Sequence, residues 1–283
     1  MQAKKYGAFS QGISLTNSES PRTGRFGRLE QQVVIVTGAS GGLGAAVAKL
    51  LAANGATVAL IGRDAHRLQV VIEDIKQSTP QAPDPLLLPL DVRDEDDMNH
   101  MAESVIGRWR KINALVACAG IARGRTAGPI PYPVHAMPCE EWDDVIGTNL
   151  RGIFLSNRAV LPQMILQCSG AIINVSSFPA GVRGQPFAAA YCASKSAVAG
   201  LTEALASEVR HYGILVQCLF PGLIDTPLIR RTRMAARGTP MYPVRVAELI
   251  CHVLTLGTDV QILASRSNGY TVLRSASSVA LPQ

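Results

Sequence analysis

QVVIVTGASGGLGAAVAKLLAANG, residues 32–55, places a β-branched run directly before a glycine cluster and a helix-like pattern that stops at Gly55. Strand, tight turn, helix is what this order spells. Glycines at Gly38, Gly42 and Gly44 let a backbone turn sharply and approach a pyrophosphate, while the helix start offers free N–H groups and a positive dipole end. Any tight strand–helix turn favours glycine, so the cluster gains its meaning from its place between the chain's first strand and the following helix. Ser40 adds a hydroxyl donor to the turn.

Outward from residue 55 the pattern repeats. ATVALIG (56–62), PLLLPLD (85–91), NALVACAG (113–120), GAIINVSS (170–177) and ILVQCLFPG (214–222) read as strands. Between them, DAHRLQVVIEDIKQ opened by Asp64, DEDDMNHMAESVIGRWR with acids in its first turn, CEEWDDVIGTNLRGIFLSNRAVLPQMI and AAAYCASKSAVAGLTEALASEVRHYG read as helices. Apolar strands alternating with helices predict an α/β fold: a Rossmann-type, doubly wound parallel sheet covered on both faces, in a single domain over 32–283. Residues 1–31, basic and without sustained periodicity, read as an N-terminal extension, either a disordered tail or a transit peptide.

Composition excludes other classes. With 47% hydrophobic residues in 283 the chain is neither disordered nor low-complexity, and no apolar run nears the ~20 residues that span a bilayer. The expectation is a soluble, cytoplasmic protein with no membrane partner, or a mitochondrial or plastid one if 1–31 is a transit peptide. The net charge of +6 is unevenly spread: five basic residues (Lys4, Lys5, Arg22, Arg25, Arg28) face two acids in the extension, and five arginines lie between Arg230 and Arg245. With 5% aromatics for base stacking, nucleic acid is not the expected partner. Six cysteines, each more than twenty residues from the next, form no metal-ligand spacing, so no metal is expected.

The chemistry concentrates at Tyr191 and Lys195. Spaced i, i+4, they share one helix face, and an ammonium beside a phenol favours the phenolate. Ser177 ends the preceding strand, at the carboxyl edge where such sheets place ligands.

With its Gly-x-x-x-Gly-x-Gly turn (Gly38, Gly42, Gly44), the chain resembles the short-chain dehydrogenase/reductase family. Further motifs follow in the family's order: Asp91, Ala119-Gly120, Asn149, Asn174-Val175-Ser176-Ser177, Tyr191-Cys192-Ala193-Ser194-Lys195, Pro221-Gly222 and Thr226. The resemblance covers residues 32–275 and implies that Ser177 binds the substrate carbonyl, Tyr191 transfers the proton, Lys195 holds the nicotinamide ribose and lowers the Tyr191 pKa, and Asn149 anchors a water leading to Lys195. Ser176 is the competing serine. The cofactor-binding set it implies is Gly38, Ser40, Gly42, Leu43, Gly44, Arg63, Asp91, Ala119, Gly120, Tyr191, Lys195, Pro221, Gly222 and Thr226. Gly62 stands where an NAD enzyme carries an acid, and Arg63 follows it, so the expected cofactor is NADP(H); Arg63 paired with Asp64 in solvent is the alternative.

Three departures bear on substrate. The family's Asn-Asn-Ala-Gly is Ala117-Cys118-Ala119-Gly120 here, so the hydrogen bonds that the Asn makes to the central sheet are expected to be absent or replaced, which touches stability more than catalysis. The stretch 121–139 is longer than usual and either walls the substrate site or forms a tolerated surface loop. The chain end lacks the family's usual Val-Asp-Gly-Gly. The expected activity is reduction of a small-molecule ketone or aldehyde to an alcohol, or the reverse, by a homodimer or homotetramer paired through the helices at 140–166 and 190–212. One alternative is a 3-oxoacyl-acyl-carrier-protein reductase, although the two basic positions such enzymes use for the carrier fall on Cys168 and Tyr212. Others are an NADP(H)-binding regulator without activity, which the retained Tyr191 and Lys195 speak against, and a basic binding module.

Overall fold

The computed structural model describes residues 29–124, 127, 130–178, 184–230, 240–256, 260–263 and 271–274. Most of the N-terminal extension, the arginines Arg231, Arg233 and Arg237, and the chain end after residue 274 lie outside the described residues.

The order is β1 (Val33–Thr37), α1 (Gly42–Ala53), β2 (Thr57–Ile61), α2 (Ala65–Ser78), β3 (Leu86–Leu88), α3 (Glu95–Trp109), β4 (Ala114–Ala117), α4 (Cys139–Ile146), a π-helical turn (Gly147–Arg151), α5 (Gly152–Gln167), β5 (Gly170–Val175), α6 (Ala189–Val209), β6 (Ile214–Leu219), α7 (Pro227–Arg230), α8 (Pro243–Leu256), β7 (Val260–Leu263) and β8 (Thr271–Arg274). Strands β1 to β6 form one parallel sheet in the order β3-β2-β1-β4-β5-β6. The expected α/β architecture holds. Because the strand order reverses between β1 and β4, their carboxyl ends open a crevice, the usual ligand site of such sheets.

Alternation along the strands builds two cores. Val34, Val36, Val58 and Leu60 pack with α1, α2 and α8 on one face; Ile35, Ala59, Ile61 and Leu115 pack with α3, α5 and α6 on the other. A parallel strand buried on both sides needs apolar residues at every position, and β1 is buried throughout. The core reaches back to Leu29, three residues before the expected boundary, whose N–H donates to the Asn54 carbonyl.

The helix caps follow the sequence signals. Asp64 and Asp94 accept from the Arg67 and Asp97 N–H groups at the starts of α2 and α3. The long helix expected over 139–165 is instead α4 and α5 joined by the π turn. The last expected helix gives way at Arg210–Tyr212 to a 3₁₀ turn closed by Gly213 at φ 69°. On the helices expected to pair subunits, Ile153, Leu155 and Val198 are buried within the chain, while Phe154 and Leu166 are exposed on α5. Among the described residues no helix is long and apolar enough to cross a membrane, and no cluster of three or more metal-ligating side chains occurs.

Candidate active site

The glycine turn lies against the end of β4 with little backbone clearance. A Cβ on Gly38, whose φ is +68°, would stand 2.8 Å from the Ala119 backbone, and one on Gly44 would stand 2.3 Å from the Gly38 carbonyl. Neither position accepts a larger residue. α1 has Gly41 as its N-cap, with no side-chain cap and no acid in its first turn, so its leading N–H groups are left without a side-chain partner beside the crevice. A cavity of about 770 Å³ opens there, lined by the turn, the Ala119-Gly120 backbone and the Pro221–Thr226 segment. Backbone donors at a helix start, bare glycines and basic side chains nearby are a donor set suited to a dinucleotide.

At the corner beside the end of β2 the cavity is lined by Ser40, Gly62, Arg63 and Arg67. Asp64 spends its carboxylate on the α2 cap, and Arg63 has no ion pair with it or with any other described residue. Asp91 also lines the cavity, its carboxylate held by Arg93 at 2.8 Å while Arg93 reaches Asp144 at 3.1 Å.

The other end is built on α6. Tyr191 and Lys195 are 8% and 4% exposed, and both border the cavity. The Lys195 ammonium donates to the Val175 carbonyl at 2.8 Å and lies 5.9 Å from the Tyr191 ring centre. The two candidate serines separate cleanly. Ser176 donates to the Lys195 carbonyl at 2.6 Å, whereas the Ser177 side chain lies near enough to the Tyr191 phenol to lower its pKa. Ser177 is therefore the serine beside the phenol.

Burial dominates the electrostatics. It raises Tyr191 to about 12, with the nearby Ser177 side chain pulling the other way, and lowers Lys195 to about 8. The expectation that Lys195 lowers the Tyr191 pKa is not met in the protein alone: the stronger effect is removal of the phenol from water. At neutral pH the pair is a protonated phenol beside an ammonium.

Asn149 sits in the π turn, where the extra residue per turn re-aims it. Its side chain is fully committed: it accepts from the Ile121 N–H and donates to the Ile121 carbonyl, both at 2.8 Å, and donates to Ser194 at 3.0 Å. The side chain thus pins the loop after β4 to α6 and does not itself line the cavity. The remaining expected residues, Gly38 to Gly44, Ala119, Gly120, Pro221, Gly222 and Thr226, come together around the cavity as the sequence motifs require.

Three features carry no sequence motif. The stretch after β4 walls the Tyr191 end through Ile121, Ala122, Arg123 and Gly124, fixed by an Arg123–Glu141 ion pair at 3.2 Å with Glu141 almost wholly buried. Met137 and Val145 pack with Tyr191. Arg67 reaches the glycine turn. Its only signal was a basic residue one turn into the helix that follows Arg63. The Ala117 departure also registers: Asn174, its neighbour on β5, donates to Thr202 at 3.1 Å but leaves its carbonyl oxygen without a partner.

Comparison with known proteins places this geometry. Residues 32–236 match the family model for short chain dehydrogenase. A 3-oxoacyl-acyl-carrier-protein reductase of Thermotoga maritima is 36% identical over 214 residues, 76% of this chain and 82% of that protein. A crystal structure of a metagenomic short-chain oxidoreductase in complex with NADP superposes with a TM-score of 0.70 at 29% identity, covering 84% of this chain and 97% of that one. A 3-ketoacyl-acyl-carrier-protein reductase from Brucella melitensis, complexed with NADH, gives a TM-score of 0.73 at 29% identity over 83% and 97%.

Proposed function

We propose that this chain, which belongs to the short-chain dehydrogenase/reductase family, is an NADP(H)-dependent oxidoreductase interconverting a small ketone or aldehyde and its alcohol. The observation that carries the reading is that Ser177, Tyr191 and Lys195 line the same cavity as the glycine turn, with Ser177 close enough to the Tyr191 phenol to lower its pKa. The nicotinamide cofactor, when bound, supplies or accepts the hydride. Ser177 orients the carbonyl oxygen, and Tyr191, a neutral phenol at working pH, donates its proton to that oxygen as charge develops there. Lys195, held at the Val175 carbonyl, fixes the ribose and adds positive charge. Asn149 acts through position, keeping the π turn and the Ile121 loop against α6.

For the cofactor, Gly62 offers no carboxylate to a free 2′-OH, and Arg63 is uncommitted at that corner. A homodimer or homotetramer is the assembly proposed, supported by Phe154 and Leu166 exposed on α5; light scattering at micromolar concentration that returns a monomer sinks it.

A second reading, reduction of a 3-oxoacyl group on acyl carrier protein, is favoured by the 36% identity to the Thermotoga enzyme. Against it, Cys168 and Tyr212–Gly213 converge, with a Cβ on Gly213 only 2.9 Å from the Cys168 carbonyl, and neither expected carrier-docking position bears a cation. Assay of the purified protein with NADPH against simple ketones, cyclic ketones, acetoacetyl-CoA and 3-oxoacyl carrier protein separates the two. Strong preference for the carrier substrate would overturn the first reading; no turnover of any carbonyl or alcohol would overturn both.

A further inference from the structure

The guanidinium of Arg67 occupies an unusual place. Its Nη2 lies 2.6 Å from where a Cβ on Gly41 would stand, so it rests directly on the backbone of the glycine turn. Gly41 is extended, at φ 165°, a conformation any residue adopts. Backbone geometry therefore does not demand glycine there; the space a Cβ would take is held by the end of the Arg67 side chain. The Arg67 side chain has no ion-pair or hydrogen-bond partner among the described residues, and with Ser40, Gly62 and Arg63 it lines the corner of the cavity beside the end of β2. Its backbone is fixed, since the Arg67 N–H donates to the Asp64 cap at 3.0 Å. A guanidinium with spare donors, held over a helix start that already favours anions, is suited to a phosphate.

We propose that Arg67 is a second specificity-determining residue for the cofactor's 2′-phosphate, acting together with Arg63, and that Gly41 is there to admit it. The proposal rests on the NADP(H) reading. It adds a residue and a spatial requirement that the end of β2 alone does not supply.

The test compares 2′,5′-ADP with 5′-ADP, which differ only in the 2′-phosphate, by calorimetric titration of the full chain. Wild type is expected to bind 2′,5′-ADP more tightly. Arg67→Gln should weaken 2′,5′-ADP by about tenfold, the low end for a charge-assisted bond because the site is open to water, and leave 5′-ADP nearly unchanged. Gly41→Ala should do the same with Arg67 still present, because the new Cβ displaces the flexible end of that side chain and nothing else. Arg63→Ala combined with Arg67→Gln should abolish the discrimination. If wild type discriminates but Arg67→Gln does not reduce it, or weakens both ligands equally, the proposal is overturned and the NADP(H) reading stands. If Gly41→Ala leaves 2′,5′-ADP affinity untouched, the assignment to Gly41 is overturned. A wild type that binds 5′-ADP as well as 2′,5′-ADP overturns the NADP(H) reading itself, and the proposal with it.

Discussion

The glycine-turn end and the Tyr191 end of the cavity are built by different means. At the first, the wall is backbone: Gly38 and Gly44 pack where a Cβ would meet main-chain atoms at 2.8 and 2.3 Å, and the helix start supplies the donors. At the second, the wall is side chains taken out of water, Tyr191 raised to about 12 and Lys195 lowered to about 8, with Glu141 buried against Arg123 and Asn149 spent on Ile121 behind them. Backbone contact restricts the sequence to glycine and so leaves a readable trace. Side-chain contact across loops can be met by many residue pairs, and leaves one only where both partners fall in a fixed motif.

That contrast can be broken most sharply at Tyr191. Tyr191→Phe keeps the ring and removes the proton, so kcat should fall at least ~100-fold with NADPH affinity retained. Near-normal turnover, or parallel loss of cofactor binding in a fluorescence titration, would mean the two ends are not separable. Arg63→Ala is the converse. NADPH affinity should weaken roughly 10- to 150-fold, as expected for loss of charge-assisted hydrogen bonds, while NADH barely responds. Equal loss of both cofactors would mark Arg63 as structural.

A smaller effect separates the two titrating groups. Burial disfavours the charged form of Lys195, so its proton is held below about pH 8 and lost above it, while Tyr191 stays protonated to about 12. The value of kcat/KM for carbonyl reduction should therefore decline above about pH 8, by roughly tenfold per pH unit, through loss of the ammonium and not of the phenol's proton. A flat profile to pH 10 would remove Lys195 from the rate. The smallest effect lies behind the Tyr191 end, in α5, where Asn157 is buried with neither amide atom partnered. Asn157→Leu removes a desolvated amide, a gain of about 1 kcal/mol after some overpacking, or ~2–4 °C in Tm for a domain of this size. A fall in Tm by calorimetry would show that the amide has a partner after all.

Most of the sheet was legible because its strands are short apolar runs between helix patterns, and Asp64 marked the start of α2 to the residue. The break at Gly147–Arg151 was not. Thr148 and Asn149 fit an apolar-periodic helix, and the π turn arises because Asn149 must face Ile121 and Ser194 at once. Ser177 was preferred from its place in Asn-Val-Ser-Ser, but only the fold shows Ser176 engaged with the Lys195 carbonyl. Arg67 lay unread because a basic residue in a helix's first turn is ordinarily solvated.

The sequence by itself determined the α/β architecture, the glycine turn and the Tyr191–Lys195 pair, since each depends on local periodicity or on spacing within one element. The tertiary structure alone decided how burial shifts Tyr191 and Lys195 apart, that Asn149 serves the Ile121 loop, and that Arg67 reaches Gly41. Those depend on desolvation and on contacts between elements, and neither is a property of a stretch of chain until the elements have packed.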